Sequence, residues 1–131
     1  MGSMNVLLDT CAFIWLAMPQ GRLSKSATQV INDPSNRLFL SDVSLWEITL
    51  KHSLGKLPLP ANPREWAPRQ MQFHQLERWP LETDAIYRSG ELPRVHLDPF
   101  DRLLAAQAME AGMTLLSPDV PLSRLGAARV W

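Results

Sequence analysis

The stretch HLDPFDRLLAAQAMEAGMTLLSPD, residues 96–119, predicts a complete helix followed by a short buried strand. Asp98 is a suitable N-cap because its side chain can accept a hydrogen bond from a free N–H of the first helical turn. Pro99 then occupies the first helical position, where no N–H donor is needed. Gly112 supplies the left-handed residue that ends a helix. Residues 113–116 are apolar apart from one threonine and predict the strand.

Two acidic residues of this stretch fall at positions that a parallel sheet brings together. Asp101 lies in the first turn of the predicted helix, and Asp119 follows the C-terminal end of the predicted strand. In a parallel α/β sheet, strand ends and helix starts lie on the same edge of the domain. We therefore expect both carboxylates at that edge.

The composition is that of a single globular domain. The chain has 131 residues, of which 46% are hydrophobic and 20% charged, with 13 basic and 13 acidic side chains. A net charge of zero argues against a protein that holds nucleic acid by bulk charge. Met1, Gly2 and Ser3, ahead of Met4, resemble a remnant of an expression vector, so we expect one domain over residues 4–131.

The single cysteine and the hydropathy pattern bear on the cellular compartment. Cys11 has no partner for an internal disulfide, which favours a reducing compartment. No apolar run reaches the length needed to cross a bilayer, and we identify no signal peptide. These features predict a cytoplasmic protein without a membrane partner.

Predicted strands alternate with predicted helices along the rest of the chain. Apolar runs predict strands at 5–9, 38–40, 76–81 and 127–131, and caps and periodicity predict helices at 12–18, 24–31, 41–54, 62–74 and 83–89. Ser41 and Ser44 are both suitable caps for the third of these helices. Alternation of this kind indicates the α/β class, with a mostly parallel central sheet and helices on both faces.

Four acids fall at equivalent points of this topology, where strands end and helices begin: Asp9, Glu47, Asp101 and Asp119. A helix N-terminus favours a nearby anion by about 0.3–1 kcal/mol, which is too little to gather four carboxylates. Neighbouring carboxylates raise one another's pKa values and oppose ionisation. Mg²⁺ or Mn²⁺ prefers oxygen ligands and relieves this repulsion. The pattern therefore predicts a divalent metal site.

Each acid also has an ordinary structural explanation. Asp9 could cap the following helix, Asp101 could be a first-turn acid, and Asp119 could be a turn residue. Glu47 could pair with Lys51 one helical turn later. What favours function is the combination, because four unrelated acids have no reason to share one edge.

Other side chains are assigned around this site by residue type. Thr10 and Ser117 are candidate hydroxyls that orient Asp9 and Asp119. Lys51 and Arg102 are candidate contacts for a substrate phosphate, although each could equally be a solvated surface charge. Cys11 is expected to be a buried structural thiol. The five tryptophans are expected to pack in the core or in a subunit interface, with base stacking as an alternative for Trp46 or Trp66.

Four segments together resemble the PIN-domain proteins, and among these the VapC toxins of bacterial toxin–antitoxin pairs. The segments are LLDT at 7–10, VSLWEI at 43–48, HLDPFDRLLAAQA at 96–108 and LLSPD at 115–119. The third is the most specific. The last departs from the usual Thr-x-Asp pattern but keeps a hydroxyl at Ser117.

The resemblance implies a three-layer α/β/α fold and Mg²⁺- or Mn²⁺-dependent endoribonuclease activity that leaves 5′-phosphate and 3′-hydroxyl ends. It implies that the acidic site consists of Asp9, Glu47, Asp101 and Asp119, all as metal ligands. It also implies a homodimer and a VapB-type antitoxin that covers the site, with DNA bound only through the antitoxin.

Two alternatives belong to other functional classes. One is a phosphotransfer enzyme with Asp9 as nucleophile, although such enzymes place a second acid where Cys11 stands. The other is a partner-binding domain that retains an acidic pocket without catalysis.

Overall fold

The computed structural model describes residues 3–131, and the predicted vector remnant lies outside the described residues at Met1 and Gly2. Five strands and seven helices are present within the described part of the chain. The strands are β1 (Asn5–Leu8), β2 (Arg37–Ser41), β3 (Leu76–Trp79), β4 (Thr114–Leu116) and β5 (Arg129–Val130). The helices are α1 (Thr10–Ala17), α2 (Lys25–Asn32), α3 (Asp42–Ser53), α4 (Pro63–Phe73), α5 (Thr83–Glu91), α6 (Pro99–Ala111) and α7 (Val120–Arg124).

The strands form one parallel sheet in the order β3-β2-β1-β4-β5. The chain builds the sheet outward from β1 in one direction and then returns to the other side of β1 with β4. The order therefore reverses between β1 and β4, and the crevice at the carboxyl ends of such strands is where α/β sheets bind ligands. Leu8 pairs with Leu116 in the register, so Asp9 and Ser117 follow neighbouring strand ends.

Helices cover both faces of the sheet and create two cores. Leu7 packs with residues of α5, α6 and α7, whereas Val6 and Leu8 pack with residues of α1, α2 and α4. The side chains of Val6, Leu7 and Leu8 are all fully buried. A strand buried on both faces reads as a continuous apolar run, which explains the sequence of β1. The predicted α/β/α architecture is confirmed.

The caps agree with the sequence in two places and refine it in others. Asp98 accepts a hydrogen bond from the Asp101 N–H at 3.0 Å, and Gly112 ends α6 with a φ of 66°. Ser41, and not Ser44, is the N-cap of α3. Helix α5 runs to Glu91, two residues beyond the predicted end at residue 89. Helix α7 was not predicted, since its five residues are too few to show periodicity.

No helix in residues 3–131 combines the length and the apolar character that crossing a membrane requires.

Candidate active site

Asp9 is a buried carboxylate at the carboxyl end of β1. Its side chain is the N-cap of α1 and accepts a hydrogen bond from the Ala12 N–H at 2.7 Å. The residue is only 2% exposed. Burial raises the pKa of Asp9 to about 7, because hydrogen bonds from Ser117 and Ala12 only partly offset the lost solvation and the repulsion from Asp119 and Asp101.

Ser117 connects the ends of the two central strands. Its buried hydroxyl hydrogen-bonds the Asp9 carboxylate and accepts a bond from the Asp119 N–H at 3.0 Å. Asp119 is the residue before α7 and is half-buried, with no capping bond from its side chain. Ser117 therefore fixes Asp9 and the backbone of Asp119 relative to each other.

Glu47 reaches the same edge from the second turn of α3. One carboxylate oxygen, Oε1, accepts a bond from Thr10 Oγ1 at 2.6 Å, and the other, Oε2, lies 2.5 Å from Lys51 Nζ. Thr10 Oγ1 also lies 3.0 Å from Ser44 Oγ. Thr10 thus orients Glu47. The sequence had suggested instead that Thr10 orients its neighbour Asp9. The hydrogen bond from Lys51 to Glu47 holds the pKa of Lys51 above its ordinary value.

Asp101 lies in the first turn of α6, beside a histidine. Its Oδ2 lies 2.7 Å from His96 Nε2, and its backbone N–H is bound by the Asp98 carboxylate. Burial raises the pKa of Asp101, although the hydrogen bond from His96 opposes this. Asp98 and Asp119 add further repulsion.

The charges of all four predicted acids act on the thiol of Cys11. Desolvation, followed in order by the charges of Asp9, Asp119, Glu47 and Asp101, raises the pKa of Cys11 to about 12. Residues on four separate elements therefore lie close enough to act on one sulfur atom. The expectation of a buried thiol was wrong, because Cys11 is exposed at the rim of this site.

The donor set fits a hard divalent cation, although it is not arranged as a finished coordination sphere. In residues 3–131, no three His, Cys, Asp or Glu side chains are placed so that together they could hold one metal ion. Lys51 and His96 instead bind Glu47 and Asp101, while Asp9 has no ion-pair partner in the described part of the chain. A buried carboxylate beside two other acids is short of positive charge, and all-oxygen donors suit Mg²⁺ or Mn²⁺.

Arg102 has a different set of contacts from the one that its predicted role requires. Its five N–H donors all bind backbone carbonyl oxygens, namely those of Ser89, Leu92, Pro93 and His96. An arginine has five such donors in total. Arg102 therefore fastens the segment between α5 and α6 and keeps His96 beside Asp101. Its contact with a substrate phosphate stays a prediction that these bonds do not favour.

Replacing Arg102 with lysine is expected to lower the free energy of unfolding by about 1–3 kcal/mol. A single ammonium group cannot serve four carbonyl oxygens that point to a planar guanidinium. Urea denaturation measures the change, and Arg94→Lys, an exposed arginine on the same segment, is the matched control. Equal stability of Arg102→Lys and the wild-type protein would contradict this role.

Sequence reasoning missed His96 as part of the site. His96 precedes Asp101 by five residues and lies in a loop, so neither helical spacing nor a metal-ligand motif links the two. Lys51 was considered for substrate and also for Glu47, and the structure gives it the second contact. Spacing by one helical turn was the signal for that ion pair.

The fold and the site together define a small α/β domain with an acidic carboxyl edge at its topological switch point. The family profile of the PIN domain matches residues 6–128. The chain therefore belongs to the PIN-domain family, whose members are generally nucleases. No curated protein matches the sequence.

Solved structures support the same fold at low sequence identity. VapBC2 from Rickettsia felis, bound to a DNA fragment from its promoter, has a TM-score of 0.68 and 16% identity, covering 97% of this chain and 98% of that one. VapBC-1 from nontypeable Haemophilus influenzae gives 0.68 and 16%, covering 97% of each chain. DNA-bound VapBC from Salmonella typhimurium gives 0.68 and 17%, covering 98% and 97%. The fold of the matched chains in these VapBC structures thus extends over 97–98% of this chain.

Proposed function

We propose that this protein is a metal-dependent endoribonuclease and the toxin of a toxin–antitoxin pair. The observation that carries the proposal is Asp9, a buried carboxylate with no ion-pair partner in residues 3–131, beside Asp101 and Asp119 at the switch point. Membership of a nuclease family supports phosphodiester cleavage as the chemistry.

Asp9, Glu47, Asp101 and Asp119 would hold Mg²⁺ or Mn²⁺, directly or through water. When bound, such an ion makes water a better nucleophile and stabilises charge on a phosphoryl oxygen. The residues of this chain supply the order: Thr10 holds Glu47, and Ser117 holds Asp9. Rigid ligands of this kind favour binding, because little side-chain entropy remains to be lost.

Lys51 and His96 would change partners when a cation binds. Each is bonded to a carboxylate of the proposed ligand set. With Glu47 holding a cation, the Lys51 ammonium, a donor with 47% of its side chain exposed, would be available for a phosphate oxygen. This exchange is consistent with the predicted substrate contact of Lys51.

The proposed partners follow from the structural relatives. The three solved relatives are VapBC assemblies, which supports a VapB-type antitoxin that inhibits this protein and contacts DNA in its place. A homodimer and a cytoplasmic location complete the proposal. The single cysteine is consistent with that compartment.

RNA cleavage in the presence and absence of Mg²⁺, Mn²⁺ and EDTA tests the activity. We expect metal-dependent fragments with 5′-phosphate ends, and a loss of at least about 100-fold in Asp101→Asn, since even partners one shell away from a metal cost 10–100-fold. Asp84→Asn is the matched control, because Asp84 is also a first-turn helical acid but lies in α5. Full activity of Asp101→Asn, or activity insensitive to EDTA, would refute the proposal.

A partner-binding domain without catalysis is the second candidate. The pairing of Glu47 with Lys51 and the hydrogen bond between Asp101 and His96 favour it, because two of the four acids already have partners within the chain. Titration calorimetry with Mn²⁺ distinguishes the two candidates: heat of binding in the wild-type protein that is absent in Asp9→Asn supports the nuclease. The PIN-domain match leaves the phosphotransfer alternative without support.

A further inference from the structure

Two aromatic rings that contact each other directly precede two of the acids in the sequence, and the catalytic proposal does not use them. Trp46 on α3 contacts Phe100 on α6 edge to face, with ring centroids 4.8 Å apart and ring planes at 68°. Trp46 directly precedes Glu47, and Phe100 directly precedes Asp101. The Trp46–Phe100 platform is therefore built on the same two helices that carry half of the acidic set.

Trp46 is largely exposed to solvent and contacts one aromatic ring. Phe100 is partly buried against the core that α5, α6 and α7 share, so it is anchored from below. Trp46 remains 54% exposed, whereas Trp66, the other candidate from the sequence, is a core residue with 4% exposure. An indole that is 54% exposed and contacts one other ring has surface left for a further planar group.

The charge balance of the chain explains why such a face matters for RNA. Affinity for nucleic acid is usually dominated by lysine and arginine contacts with phosphates. This chain has a net charge of zero, and its acidic edge repels a polyanion. Stacking of bases on aromatic side chains supplies affinity that does not depend on charge, and every base offers a π-face.

A protein segment has a different surface available on α3. An apolar groove of about 530 Å³ runs between α3 and α4 and is lined by Leu45 and Ile48, among others. Leu45 and Ile48 are three residues apart and therefore share one face of α3. Trp46 directly follows Leu45 and so points in a different direction from the helix axis. Trp46 itself is not among the residues that line this groove.

We propose that the Trp46–Phe100 platform stacks a nucleobase of single-stranded RNA that flanks the cleaved phosphodiester. The inference rests on the proposed function, since it makes the acidic edge the place where the phosphodiester lies. Lys51, one turn after Glu47 on α3, is paired with Glu47, and it would be available to the backbone of the stacked nucleotide when Glu47 holds a cation.

The test combines cleavage kinetics with binding of a short fluorescent single-stranded oligoribonucleotide, measured by anisotropy without divalent metal. Trp46→Ala is expected to raise both KM and Kd by roughly 5- to 100-fold. Trp46→Phe keeps an aromatic face and is expected to stay within a few-fold of the wild-type Kd. Trp46→Leu keeps apolar surface without a π-face, and is expected to match Trp46→Ala.

An abasic scan of the oligoribonucleotide identifies the stacked position. Removal of one particular base near the cleaved bond is expected to weaken wild-type binding as much as Trp46→Ala does, and to have no added effect in Trp46→Ala. Phe73→Ala is the matched control, because Phe73 at the end of α4 is 78% exposed and contacts His74 outside the site. Circular dichroism and a melting curve verify folding of each variant.

Three results would overturn the platform. The first is a Trp46→Leu variant that binds RNA as tightly as the wild-type protein, and the second is an abasic scan that finds no Trp46-dependent position. The third is a Trp46→Ala variant whose weaker RNA binding is fully explained by a lower molar mass in light scattering. The last would assign Trp46 to a contact between protein chains. Metal-dependent cleavage that is unchanged in the Trp46 variants would refute the platform but not the nuclease. Trp46-dependent RNA binding without any cleavage would refute the nuclease but not the platform.

Discussion

The Asp9→Asn variant is expected to lose at least about 100-fold of the RNA-cleaving activity and yet to be more stable than the wild-type protein near pH 8 in metal-free buffer. The two effects have one cause. Asp9 is 2% exposed, and the burial of its charge beside Asp101 and Asp119 raises its pKa to about 7. At pH 8 the folded protein therefore carries an unfavourable buried charge.

Asparagine removes that charge while keeping the local structure. Its side-chain oxygen can accept the bonds that Asp9 receives from Ala12 and Ser117, and asparagine is as good an N-cap as aspartate. A shift from 3.8 to about 7 corresponds to roughly 4 kcal/mol, at 1.36 kcal/mol for each pKa unit. We expect the gain in the free energy of unfolding to approach this value at pH 8 and to vanish near pH 4.

Chemical denaturation at the two pH values, together with RNA cleavage, measures both effects. Asp84→Asn serves as the control for an exposed first-turn acid and is expected to alter neither. An Asp9→Asn protein that is less stable than wild type at pH 8 would show that Asp9 is not a source of electrostatic strain. Retained cleavage would remove Asp9 from the proposed ligand set.

The wild-type protein itself is expected to respond to pH and to divalent cations together. The sign follows from the proton balance. Between the unfolded pKa of 3.8 and the folded pKa of about 7, folded Asp9 retains a proton that the unfolded chain has lost. The folded state then binds more protons, so its stability falls as the pH rises through this window.

Other carboxylates act in the same or the opposite direction. The raised pKa of Asp101 adds to the loss with rising pH. The surface acids Asp33 and Glu77 have lowered pKa values, because of bonds from Ser35 and Arg37, and their protonation destabilises the fold as the pH falls. We therefore expect a stability maximum on the acidic side of neutrality in metal-free buffer.

Millimolar Mn²⁺ or Mg²⁺ is expected to raise the melting temperature more at pH 8 than at pH 5. At pH 8 the ion meets ionised carboxylates and relieves their repulsion, whereas at pH 5 it must displace the proton of Asp9. Thermal melts over a metal titration at both pH values give the comparison, with Asp9→Asn as the control that should respond weakly at both. An equal or larger shift at pH 5 would contradict a metal site that includes Asp9.

The sequence by itself was enough for the architecture. Asp98, Pro99 and Gly112 mark the ends of α6 through local chemistry, and the apolar run before Asp9 is that of a strand covered on both faces. Caps and burial patterns are written in neighbouring residues, so they need no tertiary information. The same patterns led from the alternation of strands and helices to one acidic edge.

Only the tertiary structure decided how the side chains at that edge are connected. Thr10 binds Glu47 across 37 positions of the chain, and a solvent-free position beside the end of β4 gives Asp9 its raised pKa. His96 reaches Asp101 from a loop held by Arg102, and Trp46 stays exposed while Trp66 is buried. The burial of a side chain, its hydrogen-bond partners and the charges around it depend on residues that are distant in sequence. The periodicity of apolar residues therefore does not predict them.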